Sequence, residues 1–213
     1  MTEEEKRVKI NKVKFMGVMI FITILLDVIP SSGFVEYGNI SLTTMHIPTI
    51  ITAIVLGPGW GAIIGAIFGL VSLLHAISRE ATPMDLLFIN PLVSVLPRIC
   101  IALVSGGVYY FLSKLTTKKF QPAAVLAAAI CGTMTNSFLV LLALCKIWPN
   151  QLMDIFSLSG REQLVQTMTE NVRTNMLIEI CAAMVITILA VTLTKKISER
   201  NMQKYTELHQ LGL

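Results

Sequence analysis

Six stretches of this chain are almost free of charge and long enough to matter physically: residues 13–30, 43–57, 58–77, 91–113, 122–147 and 172–194. A helix crossing the hydrocarbon core of a bilayer needs about 20 apolar residues, fewer where its ends reach the interface. Inside lipid a segment must satisfy its own backbone, so helices and closed barrels are the only spanning structures. Six such stretches in 213 residues leave room for little else. The fold class expected is an all-α integral membrane protein of six transmembrane helices, one domain over residues 1–213, with a short segment 1–12 in front and a tail 195–213 behind. Composition agrees: 54% of residues are hydrophobic, only 14% are charged, and the mean hydropathy is +0.71, too apolar for one soluble core to conceal.

The third stretch opens GPGWGAIIGAIFG, in which Gly57, Gly61, Gly65 and Gly69 recur every four residues with Ala62 and Ala66 beside them. In water each glycine costs a helix roughly 1 kcal/mol relative to alanine. In lipid, burying apolar side chains gains little, and small residues that let two backbones approach become the packing device. The stripe therefore marks a helix contact face, serving this protein's own packing or a partner subunit. Gly57, Pro58 and Gly59 form a turn so short that the second and third spans are adjacent antiparallel arms, with Trp60 at the interface.

Lys6, Arg7, Lys9, Lys12 and Lys14 precede the first span, Lys114, Lys118 and Lys119 fill the fourth connection, and Lys195, Lys196, Arg200 and Lys204 follow the last. Most of the 17 basic residues thus fall on one side if the span count is six, and the positive-inside rule makes that side, with both termini, cytoplasmic. The opening segment lacks a small-residue cleavage site and is expected to stay in the mature protein. Cys100, Cys131, Cys145 and Cys181 lie in apolar spans without metal-like spacing and read as small buried thiols. Residues 30–42 and 77–90 make two long outer loops, a length that suggests a role such as covering a site. In the third outer connection, residues 148–171, the portion LSGREQLVQTMTENV is suited to begin a helix that continues into the sixth span.

Ionisable groups at lipid depth are costly and each is a functional candidate. Here they are Arg98 after Pro97 and Glu179, joined by the neutral polar Asn136 and by Asn175, which shares a helical face with Glu179. Two readings stand open. Arg98 and Glu179 pair and fix helix packing, or Arg98 receives a ligand carboxylate while Asn136, Asn175 and Glu179 bind amide or hydroxyl groups. Tyr37 and Asn39 of the first outer loop, His75 near the interface and Asn90 ending the second loop complete the candidate substrate-binding set. His46, ahead of Ile47 and Pro48, reads as the start of span two. No HExxH, GxSxG, paired intramembrane aspartates or GxxxxGK[ST] phosphate loop is present, so no catalytic or metal residue is assigned and ATP-driven work would need other subunits. An ion-coupled carrier is disfavoured for want of an inverted repeat and mid-span acids; an intramembrane enzyme lacks a nucleophile beside Arg98 and Glu179.

The segments ISLTTMHIPTIITAIVLGPGWGAIIGAIFGLVSLL, residues 40–74, and NPLVSVLPRICIALVSGGVYYFL, residues 90–112, resemble the substrate-binding S components of energy-coupling factor (ECF) vitamin transporters. With the six spans and cytoplasmic ends, the likeness covers nearly the whole chain. It implies a multi-pass protein of the bacterial cell membrane that binds a vitamin near the outer face, with the loops after helices one and three closing over it. It implies partners too: a transmembrane T component and two ATPase subunits, which hold ATP and Mg while this chain carries no cofactor. One departure falls on helix one, where such proteins often carry an alanine-xxx-alanine contact motif and here Gly17 is followed four residues later by Phe21.

Flat-ring vitamins usually lie against aromatic side chains, yet the last three spans offer Phe138 near mid-span while Tyr109, Tyr110 and Phe111 lie towards the cytoplasmic end. An arginine with several amides suits a small non-aromatic acid, and the segment from His46 is most similar to pantothenate-specific members. Pantothenate is the expected ligand. The alternatives are an S component for another vitamin or precursor (riboflavin, folate, cobalamin or a queuosine-type compound), or a membrane scaffold that binds no small molecule.

Overall fold

The computed structural model describes residues 3–28, 34–37, 40–78 and 82–210. Helix α1 (Glu3–Val28) leads to two short strands, β1 (Phe34–Tyr37) and β2 (Ile40–Thr43), then α2 (Ile47–Val55), α3 (Pro58–Ile77) and a 3-10 turn over Asp85–Ile89. There follow α4 (Pro91–Ser94), α5 (Leu96–Leu115), a second 3-10 turn (Lys118–Phe120), α6 (Gln121–Ile147), α7 (Pro149–Ile155) and α8 (Arg161–Gln210). Among the described residues four helical stretches are long and apolar enough to cross a membrane: Pro58–Ile77, Pro91–Leu115, Lys118–Ile147 and Arg161–Arg200. All reach the length of a spanning helix, and α8, continuous over 50 residues, absorbs the polar segment suited to begin it.

Two expected elements differ. The second span, expected over 43–57, is a nine-residue helix with eight residues buried. At 1.5 Å per residue it reaches about 14 Å, roughly half the thickness of a hydrocarbon core, and it lies buried among longer helices. Ahead of it, the loop 30–42 holds an antiparallel pair in which Phe34 faces Thr43 and Tyr37 faces Ile40, and β2 lies against α8. The four cysteines are free, as expected of thiols without a partner, but they are not fully buried: Cys181 is exposed and the other three are half-buried.

The glycine stripe is an internal contact face. A Cβ on Gly61 would stand 2.6 Å from Ala53 Cβ of α2, one on Gly69 would stand 2.5 Å from Val95 Cα, and one on Gly65 would meet the carbonyl of Arg98. Helix α3 thus lies against α2 on one side and against the backbone of the α4–α5 junction on the other. Gly57 takes φ +102, which side-chain-bearing residues rarely adopt, and lets Pro58 start α3 immediately after α2. Gly17 has nothing within 4 Å of a built Cβ, so α1 is not held there by close backbone contact.

The core is layered. At the end of the bundle that carries the Gly57 turn, Ile50, Ile54, Ile101, Val125, Ala128, Ala129 and Val191 form one apolar cluster. At the end that carries the 3-10 turn Asp85–Ile89, Leu87, Val93, Leu144, Leu152, Leu164 and Met168 form another. A third cluster, including Met16, Met19, Ile47, Ile51, Ile64 and Ala183, fastens α1 to α2, α3 and α8. Between the first two clusters α5 carries Arg98, α6 carries Thr133 and Asn136, and α8 carries Asn175 and Glu179, and the candidate site lies in this gap.

Candidate functional site

Pro97 sets the position of Arg98. It has no N–H, so the carbonyl four residues earlier, that of Val93, loses its helical partner, and the helix breaks between Ser94 and Leu96. The Arg98 side chain fills this vacancy, with Nη1 donating to Val93 O at 2.7 Å. Its guanidinium carbon stands 5.0 Å from the centroid of the Phe68 ring and 5.2 Å from that of Phe88, within cation–π range of both. Only 4% of Arg98 is exposed, and its Nε has no hydrogen-bond partner among the described residues. Gly65 makes this arrangement possible, because α3 could not lie against the Arg98 carbonyl with a side chain there.

The neighbours come from three other helices. His46, immediately before α2, is completely buried, and its Nε2 stands 3.0 Å from Thr133 Oγ1 of α6. Ile50, one turn after His46, and Ile101, one turn after Arg98, pack in the same buried cluster, which sets the two side chains at one level of the bundle. Asn136 is one turn beyond Thr133 and buried. Ser137 Oγ donates to Glu179 Oε2 of α8 at 3.4 Å, and Asn175 stands one turn before Glu179. His46 Nδ1, Thr49 Oγ1, Asn136 Oδ1 and Asn175 Oδ1 join Arg98 Nε as buried polar atoms without a partner among the described residues. A buried donor or acceptor left unmade costs about 1–3 kcal/mol, so such a concentration calls for a further group to complete it. Chemically it offers a guanidinium for an anion and amide, imidazole and hydroxyl groups for neutral polar atoms.

The hydrogen bonds described for Arg98 and Glu179 run to Val93 and Ser137 respectively. Asn90 works as an N-cap, its Oδ1 accepting from Leu92 N at 2.9 Å. His75 is 46% exposed, with Nδ1 3.7 Å from Asp27 Oδ2 of α1. Tyr37 stands in β1 opposite Ile40, and Asn39 lies outside the described residues. Phe138 is 63% exposed and turned away from the cluster, while the rings at the cluster are Phe68 and Phe88. Reading the sequence alone leaves His46, Thr49, Thr133 and this aromatic pair out of the set. His46 carried the one available signal, an ionisable side chain within an apolar stretch.

A model of the family described as ECF transporter, substrate-specific component, matches residues 11–191. The chain belongs to that family. Members of that family are described as substrate-specific components of ECF transporters, and the four helical stretches long and apolar enough to cross a membrane fit a membrane protein. Over 103 residues the chain is 33% identical to the pantothenate transporter PanT of Leuconostoc mesenteroides subsp. mesenteroides, a match covering 45% of this chain and 50% of that protein. The chain thus spans about half the length of the curated relative it matches. Its fold is similar to that of ThiT from Listeria monocytogenes, with a TM-score of 0.60 at 19% identity over 88% of this chain and 97% of that one. It is likewise similar to the S-component for biotin from an ECF-type ABC transporter, with a TM-score of 0.58 at 16% identity over 93% and 95% of the two chains. At these identities the structural likeness is one of fold.

Proposed function

We propose that this ECF component binds pantothenate at the outer face of the cell membrane and delivers it inward, with a transmembrane T component and two ATPase subunits that bind ATP and Mg. In this reading the chain crosses the membrane six times, α1 and the short α2 joining the four long stretches, with both termini cytoplasmic. The carrying observation is the buried cluster around Arg98. Pantothenate is a small acid with hydroxyl groups and an amide; its carboxylate matches the guanidinium, and its neutral groups match Asn136, Asn175 and Glu179. The identity to a relative named as a pantothenate transporter supports the same choice. Tyr37, Asn39, His75 and Asn90 would contribute from the rim, and the exposed face of α1 around Gly17 would meet the T component.

The test is calorimetry on the purified chain in detergent, with pantothenate beside riboflavin, folate, thiamin, biotin, pyridoxine and cobalamin. Pantothenate alone is expected to bind. A different winner would discard the pocket chemistry and keep the importer, while silence across the panel, with the protein folded, would overturn ligand binding by this chain and favour the scaffold.

A further inference from the structure

His46 enters the cluster with a hydrogen-bonding polarity that can be worked out. Threonines in this protein's helices usually turn the hydroxyl back on their own backbone: Thr23, Thr52, Thr135 and Thr194 each donate to the carbonyl four residues earlier, at 2.7–2.8 Å. Thr133, two residues before Thr135 on the same helix, instead directs its Oγ1 to His46 Nε2 at 3.0 Å. The contact is open to either tautomer, and the forgone backbone bond favours the one in which the hydroxyl gives its proton to the ring. In that tautomer Nε2 accepts and the imidazole proton resides on Nδ1.

Nδ1–H is therefore a completely buried donor without an acceptor among the described residues, and Arg98 Nε is a second. They come from different parts of the chain but from one level of the bundle: Ile50, one turn after His46, and Ile101, one turn after Arg98, pack in the same buried cluster. Two donors, one of them cationic, with nothing to accept from them, fit a group that only accepts and has two oxygens to do it with. Among ordinary biological groups of small size that is a carboxylate.

We propose that His46 is a specificity-determining residue that shares the ligand carboxylate with Arg98, Nδ1–H donating to one oxygen and Arg98 Nε to the other. This rests on the ligand reading of the cluster given above, and it adds that the site selects acids over their neutral analogues through the tautomer held by Thr133. Thr49, one turn along α2 with its own unpartnered hydroxyl, is then left for a neutral oxygen of the ligand.

The experiment compares two probes, pantothenate and pantothenol, in which a hydroxymethyl group replaces the carboxylate, by calorimetry on the full chain in detergent. The readout is the ratio of the two Kd values. His46→Gln keeps an amide where Nε2 meets Thr133 and removes the donor at Nδ1; the preference for the acid is expected to fall about ten- to a hundredfold. His46→Asn keeps a donor near the Nδ1 position and is expected to retain most of the preference. A purely structural role would lower Tm and both affinities together, leaving the ratio unchanged, and a folded His46→Gln protein with a ratio within about twofold of wild type overturns the proposal. Should His46→Gln fail to fold, Thr133→Val removes the hydroxyl that fixes the tautomer; there a reduced ratio supports the proposal and an unchanged one overturns it. Wild-type protein that binds neither probe, nor any acid of the vitamin panel, overturns the ligand reading itself, a result separate from normal binding with an unaltered ratio.

Discussion

Replacing Gly65 by alanine tests the close approach of α3 to the α4–α5 junction. A Cβ at Gly65 would stand 2.8 Å from the carbonyl carbon of Arg98, where ordinary contact begins at 3.4 Å. Neither a Cβ nor a helix carbonyl can turn aside, and the helices must part by at least about 0.6 Å, more where the nearer carbonyl oxygen meets the Cβ. A gap of that size forfeits a quarter or more of the dispersion energy of each contact across it, and Ile64, Phe68 and Ile101, all completely buried, lie along this side of the bundle. The net loss expected is about 1–3 kcal/mol, against a gain of roughly 1 kcal/mol in helix propensity. Gly17→Ala and Gly107→Ala are the controls, since nothing lies within 4 Å of a Cβ at either position, and each is expected to be neutral or slightly stabilising. Thermal unfolding of the three variants in one detergent decides the matter, with pantothenate affinity as a second readout because the displaced carbonyl belongs to Arg98. A Gly65→Ala protein as stable as the Gly17→Ala and Gly107→Ala proteins would refute the steric argument.

Further expectations concern single side chains. Arg98→Ala should weaken pantothenate binding by about 30-fold or more, measured by calorimetry on protein whose helical circular dichroism is intact; wild-type affinity would remove the carboxylate contact. Asn90→Ala should cost about 1 kcal/mol of stability through loss of its cap on α4, while a selective loss of binding at unchanged Tm would give Asn90 a ligand role instead. Trp148→Phe removes the bond from Nε1 to Leu87 O, 3.0 Å long, and should lower Tm by about 2–4 °C. The same substitution should speed amide exchange over Asp85–Ile89, and an unchanged exchange rate there would show that the indole does not restrain the turn.

The long apolar helices were legible because length and hydropathy alone define them: α3 covers the expected 58–77, and α6 begins one residue before the expected 122. The break at Val95 was implicit in Pro97, but that Arg98 would cap the orphaned Val93 carbonyl depends on the side chain folding back along its own helix, which no sequence pattern encodes. That the second apolar stretch would form a helix of only nine residues, almost wholly buried, was not legible, because burial by neighbouring helices and exposure to lipid favour the same residues and only tertiary structure separates them. The hairpin had a short-range signal, Gly38-Asn39 between two four-residue runs rich in β-branched and aromatic side chains, and the long-loop reading passed over it. The glycine period was visible, whereas its partner, the backbone beside Arg98, was not. Of the polar cluster, charged and amide groups stood out against apolar surroundings, but threonines are ordinary in membrane helices, so Thr49 and Thr133 drew no notice.

The unbroken length of α8 has a mechanical consequence. The part from Glu179 to its end at Gln210 is about 46 Å long at 1.5 Å per residue. Were it to tilt as a rigid rod about Glu179, each degree would sweep the far tip through about 0.8 Å. An adjustment too slight to disturb packing around Asn175 and Glu179 would therefore arrive at the opposite side of the bundle as a displacement of atomic size.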